Sequence, residues 1–224
     1  MKRMAHHAEP ERYATPGNSD QKVRKWLAQL SQLNRDVVLD RGRAALLVVD
    51  MQRFFFEPAG ESAVLVGDVV IPNIRRLAAA FRTAGRPVVY TRHAHKDRSD
   101  MGMLGQWWDD GIIQGTPESE IVPELAPFQG DVVVGKSRYS AFAGTGLDQL
   151  LRHRGVSDLV VTGVMTNLCC ETTAREAFVR DFRVFFAADG TGTATEQMHQ
   201  ASLLNLAYGF ARVESVARLL DSLG

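Results

Sequence analysis

Six short apolar runs recur along the chain, and the segments between most of them carry apolar residues at helical spacing. The runs are "AALLVVD" (44–50), "RPVVYTRH" (86–93), "DVVVGK" (131–136), "SDLVVTGV" (157–164), "RVFFAADG" (183–190) and the short "ARVES" (211–215). Runs of this length, bounded by turn residues, predict strands buried on both faces. Between and after them, helical spacing predicts helices over 69–85, 145–155, 172–182, 195–210 and 216–224. Gly85 and Gly155 stand where two of these should stop, and Pro72 is tolerable only in a first helical turn. Strands alternating with amphipathic helices imply βαβ units, hence an α/β fold with a parallel sheet covered on both faces. Right-handed crossovers then bring all strand C-termini to one edge, where open α/β sheets bind their ligands.

Two stretches break the alternation. Residues 1–18 read as a polar arm, and 19–33 as a helix with Val23, Trp26, Leu27, Leu30 and Leu33 on one stripe, capped by Ser19 or Asp20. This arm and helix, 1–40, precede a main domain over 41–224, and the helix is expected to pack on the outside of that domain or on another subunit. The segment 93–130 is too long for a plain connector and predicts a functional loop or lid.

Composition narrows the class. The chain has 224 residues, which suits one α/β domain with an appended arm. Lys+Arg and Asp+Glu both count 26, so neither nucleic acid nor an anionic membrane is expected as a partner; a small molecule is. Two cysteines form no disulfide framework and fit a reducing cytoplasm, and neither a secretory signal nor a membrane span is visible.

Both cysteines stand side by side in "TGVMTNLCCETTAREA" (162–177), at the end of a strand. Asp50 ends the first strand and Lys136 the third. A parallel sheet can gather Asp50, Lys136 and Cys169 at its C-terminal edge. There an ammonium and a helix N-terminus would favour a thiolate, the carboxylate could shuttle a proton, and backbone amides could hold an oxyanion. That is the chemistry of acyl transfer through a thioester. Each residue alone also has a plain reading: a turn acid, a surface lysine, a small buried thiol.

The segments "LLVVDMQRFF", "VVVGKSRYSAFAGTGLDQLL" and "VVTGVMTNLCCETTAREAFVRDF", with the later "FAADG", resemble the isochorismatase-like cysteine hydrolase superfamily. The likeness runs from about Arg43 to the C-terminus. It implies a Rossmann-like three-layer α/β/α fold with a six-stranded parallel sheet, and a triad of Asp50, Lys136 and Cys169. Cys170 is implied to pack rather than react. A non-proline cis peptide is implied at Val164–Met165, aiming the Met165 and Cys169 amides at an oxyanion. Homodimers or homotetramers are implied as well.

The superfamily splits into amidases that use the Cys and isochorismatases that cleave a vinyl ether, usually without it. "KSRYSAF", "TTAREAFVRDF" and "GMLGQWWDDGI" are similar to the isochorismatases, whereas "SAFAGTGLDQLL" is similar to the N-carbamoylsarcosine amidases. Cys169 favours the amidase branch: C–N cleavage in a small amide, ureide or N-carbamoyl compound, without cofactor. The alternative is an isochorismatase with Asp50 as general acid. Nicotinamidases of the superfamily hold a metal through an Asp-x-His pair and a further His. Here the loop after Asp50 has no His, and His93 with His95 lacks a clear third ligand, so no metal is expected. His199 is not expected to be a ligand. Substrate contacts are expected from Gln52, His93, Arg138, Tyr139, Trp107 and Trp108. Arg138 could instead fix its loop, and the tryptophans could lie at a subunit interface.

Overall fold

The computed structural model describes residues 9–57 and 62–224; the N-terminal His6 and His7 and part of the loop after Asp50 lie outside the described residues. Its strands are β1 (Ala44–Val49), β2 (Val88–His93), β3 (Val132–Lys136), β4 (Asp158–Val164), β5 (Arg183–Gly192) and β6 (Arg212–Glu214). All pairings are parallel, in the order β3-β2-β1-β4-β5-β6. The order reverses direction between β1 and β4, which puts a ligand crevice at the C-terminal ends of those strands. Every residue of β1 and β4 is buried, as their unbroken apolar runs require. The edge strand β3 alternates instead, and Val133 is exposed.

Helices α1 (Ser19–Gln29), α2 (Gly67–Thr83), α3 (Leu104–Trp107), α4 (Leu147–His153), α5 (Glu171–Val179), α6 (Glu196–Gly209) and α7 (Val216–Asp221) flank or border the sheet. The side chains of Thr195 and Ser215 cap α6 and α7. Two expectations need correction. Helix α2 starts two residues before its predicted first turn, at Gly67, so Pro72 lies inside it, in the second turn. Ser19 and Asp20 are helical residues rather than caps; Asn18 holds the N-cap position, and its side chain accepts from the Thr15 amide instead.

Helix α1 packs on its own chain. Val23, Trp26 and Leu30 are buried, together with Tyr13, Ala14 and Leu39, in the same apolar cluster as the sheet. The Trp26 indole donates to Glu196 at 2.9 Å and Lys22 pairs with the same carboxylate at 2.6 Å, tying α1 to the start of α6. Among the described residues no helix is long and apolar enough to cross a membrane.

Candidate active site

The crevice at the β1–β4 switch is built from backbone outward. Asp50 follows β1 with φ of +49°, in the left-handed region that Asp tolerates better than most residues. Its amide donates to Thr91 Oγ1 at 3.1 Å, and the Thr91 hydroxyl donates back to Asp50 Oδ1 at 2.6 Å. This reciprocal pair fixes the carboxylate. On the other side β4 comes very close: a Cβ on Gly163 would lie 2.0 Å from the Val49 carbonyl oxygen. Only glycine permits that approach, and Gly163 also has φ of +115°. The Val164–Met165 peptide is cis, and the wide turn Thr166–Cys170 follows before α5.

Lys136 enters from β3, in register with His93 of β2. Its buried ammonium lies 2.7 Å from Asp50 Oδ2, 3.4 Å from Cys169 Sγ and 3.2 Å from His93 Nδ1, and it donates to the Arg138 carbonyl at 2.8 Å. Burial alone would lower the Lys136 pKa, but the adjacent Asp50 carboxylate opposes this, and the ammonium is held above its ordinary value. Burial pushes Cys169 up to about 12; Lys136 pulls it down, but not enough, and Asp50 pushes it further up. Burial thus opposes ionisation of this thiol more strongly than Lys136 favours it. Cys170 is also buried and its thiol is raised well above the ordinary value, by burial first. Its sulfur points to the Thr162 carbonyl at 3.8 Å, away from the crevice.

His93 Nδ1 faces the Lys136 ammonium, and the Arg138 carbonyl also interacts with the ring. His93 Nε2 lies 3.0 Å from His95 Nε2, and His95 Nδ1 is 3.8 Å from the Asp100 carboxylate. Burial, then Lys136, lowers the His93 pKa to about 4, so the imidazole is neutral near pH 7.

One group of potential metal ligands appears among the described residues: Asp50, His93 and Cys169, with ligand atoms within 4.8 Å of one another. Each of these three residues is already a neighbour of Lys136 Nζ. The ammonium thus fills the place a cation would take. These residues do not fit a metal ion while Lys136 is charged, and no group of three joins His93 to His95.

A pocket opens over Cys169. Phe54, Phe55, Met101, Leu104, Ile112, Trp108 and Tyr139 wall it, with Met165 and Leu168 at its base and His93, His95, Ser62 and Asp110 as its polar members. Its cavity volume is about 60 Å³. The Trp108 indole donates to Tyr139 Oη at 2.8 Å and locks two of the walls together.

Of the residues expected to touch substrate, His93, Tyr139 and Trp108 line this pocket. Three do not. Gln52 is buried with its amide donating to the His93 and Ser119 carbonyls and its oxygen accepting from the His93 amide, so it braces the backbone. Arg138 donates to the Ser137 and Asp100 carbonyls and lines a neighbouring polar cleft. Trp107 is 75% exposed, on the outer face of the short helix α3. The sequence reading missed Phe54, Phe55, Leu104 and Ile112, although "RFFF" directly after Asp50 was a usable signal.

A doubly wound sheet with a buried Asp–Lys–Cys cluster at its switch point defines a cysteine-hydrolase type of site. The isochorismatase domain family matches residues 44–218, and the chain belongs to that family as an isochorismatase-like hydrolase. It is 46% identical over 186 residues to nicotinamidase 3 of Arabidopsis thaliana, covering 80% of this chain and 88% of that one. It is 36% identical to the isochorismatase of Bacillus subtilis, covering 83% of this chain and 60% of that protein. Its fold superposes on a cysteine hydrolase from Pseudomonas syringae with a TM-score of 0.79 at 32% identity, covering 85% and 96% of the two chains.

Proposed function

We propose that this enzyme hydrolyses the C–N bond of a small, planar aromatic carboxamide through a thioester on Cys169. The observation that carries the reading is one ammonium, Lys136 Nζ, held 2.7 Å from a carboxylate and 3.4 Å from a thiol at the floor of an apolar pocket. The similarity to nicotinamidase 3 supports the amide, and the walls of Phe54, Phe55, Trp108 and Tyr139 suit a flat ring.

Burial, which disfavours a free thiolate, sets the order of events. Asp50 takes the thiol proton as sulfur attacks the amide carbon, so a free thiolate never has to persist in the buried site. Lys136 offsets the negative charge while it passes from carboxylate to sulfur and on to the carbonyl oxygen. The Met165 and Cys169 amides receive that oxygen. Protonated Asp50 gives its proton to the leaving nitrogen, the C–N bond breaks, and ammonia departs from the thioester. Water then attacks the acyl carbon and loses a proton to Asp50; the C–S bond breaks and sulfur recovers that proton. Amide and water become acid and ammonia.

The test is a panel of nicotinamide, benzamide, a ureide and isochorismate, scored for ammonia or pyruvate release with the parent and with Cys169→Ala. Ammonia from an aromatic amide, with the variant reduced by at least about 10³-fold and a trapped acyl adduct on Cys169 by mass spectrometry, is the expected result. Pyruvate from isochorismate, undiminished in Cys169→Ala, would overturn it and make Asp50 the general acid of a vinyl ether hydrolase.

A further inference from the structure

His199 is buried, titratable and unused by the chemistry above. It lies in α6 with no exposed surface, and its Nδ1 is 3.0 Å from the Thr166 hydroxyl. The Ala188 backbone carbonyl also interacts with the ring, and Nε2 is left without a well-formed hydrogen bond. The ring packs against Trp26 at 4.6 Å and Tyr13 at 5.6 Å between centroids, so the segment before β1 encloses it. A second tie runs alongside. The Tyr13 hydroxyl accepts from the Thr193 amide at 3.2 Å, and the Thr193 hydroxyl donates to Asn167 Oδ1 at 2.5 Å. The segment itself is pinned where the Glu11 amide donates to the Ala194 carbonyl, and where Lys22 and Trp26 reach Glu196.

The two ties end on Thr166 and Asn167, the residues three and two before Cys169 and the first two of its turn. Neither lines the pocket. We propose that His199, enclosed by Tyr13 and Trp26, is a positioning residue: through Thr166 it fixes the turn that aims the Cys169 thiol, so that the N-terminal segment is part of the catalytic scaffold. Sulfur must meet both Asp50 and a carbonyl carbon, and a displacement of about 1 Å at such a centre can cost about 10²-fold in rate. A loose turn would leave the pocket shape intact and lower the productive fraction of thiol orientations.

This inference rests on Cys169 being the nucleophile, so its primary readout is independent of substrate: the rate of Cys169 alkylation by iodoacetamide in the folded enzyme, with kcat, KM and Tm measured alongside on the amide the panel identifies. His199→Phe keeps the ring stack and removes the bond to Thr166, together with the ring's contact to the Ala188 carbonyl. His199→Asn puts an amide near the place of Nδ1 and removes the stack. The expected result is a loss of about 10-fold or more in kcat and in alkylation for His199→Phe, with KM within about 2-fold, and substantial recovery of both rates in His199→Asn despite its lower Tm. Thr166→Val, nearly isosteric, should repeat the His199→Phe loss and serves if that variant does not fold. Parental alkylation and kcat in His199→Phe or Thr166→Val would overturn the inference, as would a loss that follows Tm across the variants. If Cys169→Ala retains turnover, the acyl-enzyme reading fails instead, and the alkylation rates still decide whether His199 holds the turn.

Discussion

The floor of the crevice and its walls are built on different terms. The floor is three residues on three strand ends, braced by Thr91, Gly163 and the Lys136 ion pair, with nearly every polar atom committed. The walls come from residues 54–55, 62 and 101–112 with Tyr139, in short turns and one four-residue helix, where mostly apolar side chains meet around the Trp108–Tyr139 bond. A floor of this kind tolerates no change of charge or placement, whereas the walls can change shape without disturbing it. One chemistry can therefore be kept while the substrate changes, which fits a family whose members include both a nicotinamidase and an isochorismatase.

The sharpest way to break the contrast is at Asp50. Asp50→Asn leaves the buried Lys136 without its anion and removes the proton carrier. Turnover should fall about 10²–10⁴-fold, the range for a lost general acid–base. Stability should drop by about 3–5 kcal/mol, as for a buried pair broken on one side. Because Asp50 also holds the Cys169 thiol up, the same variant should alkylate faster near neutral pH while it turns over slower. Opposite signs in two assays would show the carboxylate as base rather than as a mere partner of the lysine; a slowdown in both would count against that role.

A smaller effect is expected at the walls. Trp108→Ala removes an aromatic face and the donor to Tyr139 Oη, so KM should rise about 10-fold, the scale of one lost apolar contact area. Alkylation of Cys169 should stay at or above the parental rate, since the floor is untouched. If kcat and alkylation fall as far as in the Asp50 variant, the division between floor and walls is wrong.

The same division governs what could be read from the sequence. Six apolar runs between helical segments expose a parallel sheet because burial on both faces leaves little freedom of residue type. Asp50, Lys136 and Cys169 stand out because each follows such a run. The walls are anonymous in one dimension: Phe54, Phe55 and Leu104 look like any core residue until the chain turns them inward. Trp107 and Trp108 show the limit well, being identical neighbours of which a short helix sends one outward and one into the pocket. The stripe of α1 predicted an apolar face but not that His199 of the same chain would lie beneath Trp26. For Cys169 the surrounding charges were legible in the sequence, whereas the burial that raises its thiol pKa shows only in the fold.

The smallest expected effect lies on the other sulfur. Cys170 adjoins the proposed nucleophile in sequence, yet it is fully buried on the core side of the turn, with its thiol turned to the Thr162 carbonyl and no surface in the pocket. Replacing it by Ala removes one buried atom and a weak sulfur contact, which should cost about 1 kcal/mol of stability. Turnover should stay within about 2-fold, because the bonds that hold the turn run through Thr166 and Asn167 instead. Denaturant melts and steady-state kinetics on Cys170→Ala would measure both. A large kinetic loss with little loss of stability would mean that the turn is held from the core beneath it, and would move the positioning role from His199 to Cys170.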